Sequence, residues 1–163
     1  MELLDYTDKA NLFFEKLPED WQEAIVPFWE AIKETTTIYV IKNNHQIMVG
    51  GLVFKQCPPD LLYYKEDAEN WFSKGYLYLG FIYTIEAFRG QKLGSEWLRL
   101  VRGNYPQNGF WLAIEDETLH SFYRKNGFEK SECITTPYGD TEIIYSCSPL
   151  LLESSKIDSI SGT

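Results

Sequence analysis

Apolar residues recur along the chain at two different spacings, and these spacings predict its helices and strands. In residues 18–34, apolar side chains return every three or four positions, which is the period of an amphipathic helix. Pro27 interrupts this pattern, so we expect the helix to kink or divide there. A shorter helix is predicted for residues 8–16, on the N-terminal side of the first.

A β-hairpin is predicted for residues 36–55, where two runs rich in β-branched and apolar residues flank a pair of asparagines that tolerate turn conformations. Gly50 and Gly51 lie within the second strand and indicate a bulge or a close backbone neighbour. The segment that follows is acidic, and we expect a short helix at residues 61–74.

The middle of the chain alternates between strands and helices. Residues 76–85 are nearly all apolar or aromatic, as in a central strand that is covered on both faces. A glycine turn at residues 89–94 precedes a helix predicted from about residue 95 to 103. A further strand at residues 110–114 leads into a helix over residues 115–125 whose start is acidic.

The last predicted elements are the two strands of a hairpin over residues 128–147. After Pro149 the composition changes to serine, glycine and isolated charges. We therefore expect one domain over residues 1–150 and a flexible tail over residues 151–163. Alternation of strands and helices in the middle, with antiparallel pieces at both ends, predicts a mixed α/β sheet.

The composition excludes several classes of function. The 163 residues include 15 Lys and Arg against 24 Asp and Glu, for a formal net charge of −9, whereas a general nucleic-acid binder needs a basic face. Three cysteines without a CxxC pair, and two histidines, predict no metal site. Residues 1–5 do not resemble a signal peptide, and the longest apolar run is half of what a membrane helix needs. We expect a cytoplasmic protein with no membrane partner.

Charge is distributed unevenly along the chain. Residues 87–105 contain four basic residues and one acidic residue, whereas residues 1–35 contain nine acidic and three basic residues. The basic segment coincides with the glycine turn and the helix start, where unpaired N–H groups attract anions. The spacing therefore suits a phosphate site, although a structural connector explains it equally well. Neither the Walker motif nor the dinucleotide motif is present.

Two segments resemble the motifs of the GNAT superfamily of acyl-CoA-dependent N-acetyltransferases. Residues 84–95, TIEAFRGQKLGS, are similar to motif A, a strand followed by Arg/Gln-x-x-Gly-x-Gly/Ala. Residues 119–128, LHSFYRKNGF, are similar to motif B, which ends Tyr-x-x-x-Gly-Phe. The predicted elements from residue 2 to 148 also follow the order of this family. The resemblance implies a central mixed sheet of six to seven strands, splayed between its two central parallel strands and flanked by helices.

The resemblance further implies that acetyl-CoA is the cosubstrate. Backbone N–H groups of residues 91–95 would hold its pyrophosphate with help from Arg89, and its pantetheine arm would lie along the end of the central strand. Lys92 departs from the pattern, because it stands where the family usually has the first glycine. The residues implied in cosubstrate binding are Ile82, Tyr83, Thr84, Ile85, Arg89, Gly90, Gln91, Lys92, Leu93, Gly94 and Ser95.

The implied reaction is direct attack of a primary amine on the thioester, which needs a neutral amine and a proton donor for the departing thiolate. Tyr123 matches the position of the family's usual donor, although its spacing also suits a core tyrosine. No acid lies in the central strand, so the base is open between Glu86, Glu115, His120 and a water relay. Asp116, where motif B often has Asn, is a further candidate that can also cap a helix.

The sequence leaves the acceptor open between a small molecule and a peptide. The acidic surface favours a cationic amine, and the segment at residues 56–75 is expected near the acceptor. Five rings are candidates for a cation cage, although core packing explains them as well: Tyr63, Tyr64, Trp71, Tyr76 and Tyr78. Two alternatives remain, an inactive CoA-binding module and a structural or interaction domain. The chain is expected to be a monomer or a homodimer.

Overall fold

A single mixed sheet organises residues 1–152, the part of the chain that the computed structural model describes. Its seven strands are β1 (Leu3–Asp5), β2 (Thr36–Lys42), β3 (Ile47–Phe54), β4 (Tyr76–Thr84), β5 (Gly109–Ile114), β6 (Glu129–Thr135) and β7 (Thr141–Cys147). They lie side by side in the order β1-β2-β3-β4-β5-β7-β6. Within the described residues β4 and β5 run parallel, and the other neighbours are antiparallel. The expected mixed sheet of six to seven strands is confirmed, together with both predicted hairpins.

Within residues 1–149 the sheet is accompanied by the α-helices α1 (Ala10–Phe14), α2 (Glu19–Ile25), α3 (Trp29–Ile32), α4 (Lys65–Ser73), α5 (Leu93–Asn104) and α6 (His120–Lys125). The long helix predicted for residues 18–34 is divided as expected, since Pro27 lies in a 3-10 turn between α2 and α3. The helix predicted at residues 61–74 begins as a 3-10 turn over Pro59–Tyr64 and ends at Gly75, whose φ is +84°.

Several elements differ from the sequence prediction. The helix predicted from residue 115 begins as a 3-10 turn at Glu117 and becomes α-helical only at His120. The sequence analysis assigns no strand to β1, because three residues are too short to show a period; pairing of Leu3 with Ile41 holds it at the sheet edge. Helix α5 begins at Leu93, two residues earlier than predicted. Leu93 is buried on the same apolar face as Trp97 and Val101, so packing extends the helix into the glycine turn.

Gly50 and Gly51 of β3 allow helices to pack closely on both faces of the sheet. A Cβ at Gly50 would lie 2.5 Å from Cε1 of Phe13 in α1, and one at Gly51 would lie 2.6 Å from Cζ2 of Trp97 in α5. Successive residues of a strand point to opposite faces, so α1 and α5 cover opposite sides of β3. The close neighbours of these glycines are side chains rather than the predicted backbone, and the pairing of β3 with β4 shifts register between Gly50 and Leu52.

The two parallel strands pair only at their beginnings. Tyr76, Leu77 and Tyr78 of β4 face residues 109–111 of β5, and beyond them no pairing joins the two strands. Since β4 continues to Thr84 and β5 to Ile114, the ends of the strands diverge and leave a gap in the middle of the sheet. This gap is the splay that the sequence resemblance implies.

The described part of the chain covers the whole predicted domain. The backbone N–H of Leu151 donates to the carbonyl oxygen of Pro106 at 3.1 Å, and the predicted tail lies outside the described residues from position 153 onward. No helix within residues 1–152 has the length and apolar character required to cross a membrane.

Candidate active site

The gap between β4 and β5 opens into a cavity of about 480 Å³. Residues from β4 and β5 form two of its walls, and α2, α6, β7 and the segment between β3 and β4 supply the others. Among the lining residues are Asp20, Trp21, Asp60, Tyr78, Gly80, Phe81, Ile82, Ala113, Glu115, Asp116, Leu119, Tyr123 and Glu142. The volume lies within the range of pockets that enclose small organic molecules.

A β-bulge in β4 lies in the wall of this cavity. Leu52 pairs with Gly80 and Gly50 with Tyr83, so β4 has one more residue than β3 between these pairs. Phe81 occupies the bulge with φ of +53°, in the left-handed region that residues other than glycine rarely adopt. A bulge leaves backbone groups without a partner on the neighbouring strand. Polar backbone groups are therefore available where the sheet opens.

Tyr123 reaches the cavity from α6, which is fixed at both ends. The Asp116 side chain accepts from the backbone N–H of Thr118 at 2.9 Å ahead of the helix. At the other end, Gly127 has φ of +88° and the N–H of Phe128 donates to the Tyr123 carbonyl at 3.0 Å. Tyr123 is 7% exposed, and burial raises the pKa of its hydroxyl to about 12. The hydroxyl thus remains protonated at neutral pH.

The three candidate bases lie in different surroundings. Glu115, directly after β5, lines the cavity, and its pKa is raised by desolvation and by the nearby carboxylate of Glu142. Glu86 is exposed in the turn after β4, outside the cavity wall. His120 also lies outside the wall, where its Nδ1 is hydrogen-bonded to the hydroxyl of Tyr145. Of these three, the structure brings Glu115 together with Tyr123.

Asp60 and Glu142 are two cavity carboxylates that the sequence analysis misses. Glu142 on β7 is 8% exposed, and its Oε2 accepts a hydrogen bond from the Tyr64 hydroxyl at 3.2 Å. Asp60 lies in the 3-10 turn before α4 and is exposed at the cavity mouth. Desolvation by the surrounding protein atoms raises its pKa to about 6, with a further contribution from Glu142. The signal for Asp60 was its place in the segment expected near the acceptor. For Glu142 the only hint in the sequence is that a charged residue lies within an otherwise largely apolar predicted strand.

The five candidate rings do not form a cation cage. Of the five, only Tyr78 lines the cavity. Trp71 packs against Tyr76 with ring centroids 5.3 Å apart, and Tyr63 packs against Tyr64 at 4.6 Å. Core packing explains Tyr64, which is buried, and Tyr76 and Trp71, which are partly buried against the core. Tyr63 is 39% exposed, and the Trp71 ring already has Nζ of Lys74 4.9 Å from its centroid.

Asp60→Asn is expected to stabilise the protein above pH 7 and to have little effect near pH 4. The pKa of Asp60 is raised from 3.8 to about 6 in the folded protein, so the folded state binds more protons than the unfolded state between these values. This contribution to stability is present below pH 3.8 and is lost as the pH rises through 6. Urea unfolding of both proteins at pH 4 and 7.5 measures it, with Glu129→Gln as an exposed control. A stability gain that is equal at both pH values would contradict it.

The turn before α5 has the shape of an anion site. Gly90 has φ of +83°, and Lys92 has φ of +58° and ψ of +27° immediately before the first helical residue. The first backbone N–H groups of a helix have no partner within the helix, so those of residues 93–95 point out of the N-terminus of α5. Lys92 thus adopts the left-handed conformation for which glycine is best suited.

The basic residues around this turn are fewer than the sequence count suggests. The Arg99 guanidinium pairs with Glu96 at 2.6 Å, and Arg102 donates to the carbonyl oxygen of Ser148 at 3.1 Å. Arg89 donates from Nε to the Thr84 carbonyl at 3.2 Å, which keeps its guanidinium beside the turn. Arg89 and Lys92 are therefore the two cations that the turn itself presents.

Lys92→Gly is expected to leave the free energy of unfolding unchanged or to raise it by up to about 1 kcal/mol. A non-glycine residue in the left-handed region is strained by about 1–2 kcal/mol, and the greater freedom of glycine in the unfolded chain offsets about 0.5–1 kcal/mol of the relief. Lys92→Ala removes the same charge but retains the strain, so it should be the less stable variant in urea unfolding. If Lys92→Gly is instead less stable than Lys92→Ala by about 0.5–1 kcal/mol, the cost of glycine's freedom in the unfolded chain, Lys92 is unstrained.

The sequence model of the acetyltransferase (GNAT) family matches residues 6–128 of the chain. No curated protein matches the chain in sequence. The matched range includes β4, the turn before α5 and the helix that bears Tyr123. The two segments that carry the sequence resemblance therefore both lie inside the match.

Solved structures share the fold at low sequence identity. An aminoglycoside 6′-N-acetyltransferase complexed with coenzyme A has a TM-score of 0.67 at 9% identity, over 90% of this chain and 96% of that chain. The aminoglycoside acetyltransferase AAC(6′)-Ib in complex with coenzyme A and kanamycin has a TM-score of 0.66 at 18% identity, over 94% of this chain and 98% of that chain. The ribosomal-protein-S18-alanine N-acetyltransferase of Escherichia coli has a TM-score of 0.62 at 14% sequence identity, over 91% of this chain and 93% of that chain.

Proposed function

The chain belongs to the acetyltransferase (GNAT) family, and from this premise we propose that it transfers an acetyl group from acetyl-CoA to a primary amine by direct attack on the thioester. The observation that carries the proposal is the buried hydroxyl of Tyr123 in the wall of a cavity that opens between two diverging parallel strands. The proposed proton donor therefore lines a cavity of about 480 Å³. Family membership by itself supports acyl transfer in general.

The residues that would hold acetyl-CoA are those of the diverging end of β4 and the turn before α5. The unpaired N–H groups of residues 93–95, with the backbone of residues 90–92 beside them, suit the pyrophosphate, and Arg89 and Lys92 add positive charge. Residues 82–85 lie where β4 has separated from β5, which leaves room for the pantetheine arm. Two of the similar solved structures contain coenzyme A, which supports this use of the fold.

The acceptor amine would lose its proton on the acidic side of the cavity. Attack on the thioester needs a neutral amine. Glu115 and Asp116 are the base candidates that line the cavity, and Glu115 is preferred because the Asp116 side chain accepts from the backbone N–H of Thr118. The raised pKa of Glu115 makes it a better proton acceptor than an ordinary carboxylate. A water relay through the cavity is the alternative route for this proton.

Tyr123 would donate a proton to the thiolate of CoA as it departs. The hydroxyl of a tyrosine is ordinarily protonated at neutral pH. Burial raises the pKa of Tyr123 further, to about 12, so the proton is still in place when the thiolate forms. The bulge at Phe81 supplies backbone polar groups in the same wall, which can polarise the thioester carbonyl. The proposed acid, Tyr123, thus lies on α6, and the proposed base, Glu115, follows the end of β5. The backbone groups that would polarise the carbonyl lie in β4.

A calorimetric titration with acetyl-CoA tests the donor site. We expect Arg89→Ala to weaken acetyl-CoA binding by about tenfold, since a hydrogen-bonded charge contributes about 1.5–3 kcal/mol. Arg99→Ala removes a cation from the same helix, but one that pairs with Glu96, so it should leave the affinity unchanged. Lack of binding at millimolar acetyl-CoA, or equal effects of both substitutions, would overturn the proposed donor site.

An inactive CoA-binding module is the second candidate function. The absence of an acidic residue from β4 and the lysine at position 92 favour it. Initial rates of thiol release from acetyl-CoA with a panel of amines distinguish the two functions. Binding of acetyl-CoA without turnover of any amine would support the module and contradict the enzyme.

A further inference from the structure

The cavity is unusually rich in negative charge. Five of its lining residues are acidic, and none of its lining residues is Lys, Arg or His: the acids are Asp20, Asp60, Glu115, Asp116 and Glu142. A second cavity of about 320 Å³, near α1 and the turn before β3, is lined by two lysines and a histidine as well as one glutamate. The net charge of the chain therefore does not make every concave surface acidic.

Glu142 is the acid in the cavity wall with the least exposure to solvent. Its side chain is more than nine-tenths buried, and the Tyr64 hydroxyl donates to one of its oxygens. The Tyr63 hydroxyl and the Glu115 side chain also form side-chain hydrogen bonds with it, and none of these three partners is a cation. In the described part of the chain, no Lys, Arg or His lies within ion-pair distance of Glu142, Asp60 or Glu115. A buried carboxylate without a cation is costly, and neighbouring carboxylates add repulsion. Such a group is stabilised by a cation that arrives with a ligand.

The reacting amine is poorly suited to be that cation. Close carboxylates stabilise an ammonium ion and raise its pKa, whereas attack on a thioester requires the neutral amine. A second, non-reacting ammonium on the same acceptor has no such conflict. It can stay charged beside Glu142 while the first amine loses its proton near Tyr123. The cavity volume of about 480 Å³ is sufficient for a small molecule with two separated groups.

We propose that Glu142, assisted by Asp60, is a specificity-determining residue that holds a second cationic group of the acceptor, so that the acceptor is a small molecule with at least two amines. This inference rests on the proposed function, because it concerns the acceptor of the same cavity. It predicts a preference for diamines and polyamines over monoamines. The raised pKa values of Asp60 and Glu115 agree with an anionic cluster that has no cation of its own.

Putrescine and n-butylamine form a matched pair of probes, since they have the same chain length and differ in the second ammonium. We expect kcat/KM with acetyl-CoA to be roughly tenfold to a hundredfold higher for putrescine, the range of one hydrogen-bonded charge. Glu142→Gln should remove this advantage, chiefly through a higher KM for putrescine. Any change in the n-butylamine rate, which follows from the effect of Glu142 on the pKa of Glu115, should be smaller than the loss for putrescine. Glu129→Gln, an exposed carboxylate on β6, is the control and should preserve the preference.

Equal rates for the two amines in the wild-type protein, or an equal loss for both amines in Glu142→Gln, would overturn the inference. If Glu142→Gln does not fold, Asp60→Asn replaces it, with the same expected loss of preference in a smaller degree. Calorimetric titration of the CoA-saturated protein with putrescine separates this inference from the proposed function. Binding that depends on Glu142 without turnover supports the inference and contradicts the enzyme, and absence of putrescine binding overturns the inference.

Discussion

Tyr123→Phe is expected to lower kcat by about 10²-fold or more, the contribution typical of a positioned general acid. The substitution removes one oxygen and keeps the ring, which packs against Phe128 with centroids 5.7 Å apart. The leaving thiolate would then take its proton from water, without a positioned donor. The KM for acetyl-CoA should change little, since the proposed donor contacts lie on β4 and α5. Initial rates of thiol release at saturating acetyl-CoA measure the effect.

Tyr145→Phe is the matched control for this experiment. Tyr145 is also a buried tyrosine, its ring centroid lies 6.2 Å from that of Tyr123, and its hydroxyl bonds to His120 outside the cavity wall. Loss of its hydroxyl should leave kcat within a few-fold of the wild type. An unchanged kcat in Tyr123→Phe, measured where chemistry limits the rate, would show that Tyr123 is a packing residue alone.

Gly51→Ala is expected to lower the free energy of unfolding by about 1–3 kcal/mol, the range for an overpacked core. The new methyl group would lie 2.6 Å from Cζ2 of Trp97. This ring cannot easily move, because it is fully buried and its Nε1 donates to the Tyr39 carbonyl at 2.9 Å. Urea unfolding, followed by tryptophan fluorescence, measures the loss.

Gly103→Ala provides the opposite control. Nothing lies within 4 Å of a Cβ at Gly103, which is in the last turn of α5. Alanine favours a helix over glycine by up to about 1 kcal/mol, so this variant should be as stable as the wild type or more stable. If Gly51→Ala is as stable as Gly103→Ala, the close packing described for α5 on β3 would be contradicted.

Most of the fold could be predicted because its signals lie within short segments. Pro27 divides a helix through its own ring, and the glycines that cap α4 and α6 act on adjacent residues. β1 could not be found this way, because three residues show no period and its partner, β2, lies more than 30 positions further along the chain. The position of β7 between β5 and β6 likewise depends on packing between segments that are distant in the sequence.

The same distinction applies to the candidate site. Tyr123 and the turn before α5 lie in two compact motifs, and the structure places Tyr123 in the cavity wall. The neighbourhood of Asp60 and Glu142 depends on which strand follows β5 across the sheet, and no local pattern contains that information. The basic segment was overestimated for a related reason, because a count of charges does not show that Arg99 pairs with Glu96.

Mass analysis of a mixture of the protein, acetyl-CoA and a panel of mono-, di- and polyamines tests the central claim most directly. The claim is that this cavity joins an acetyl group to a primary amine. The account predicts an N-acetylated amine, formed together with an equal amount of free CoA thiol, and its loss in Tyr123→Phe. A protein that binds acetyl-CoA to saturation and yields no acetylated amine from any member of the panel would contradict it.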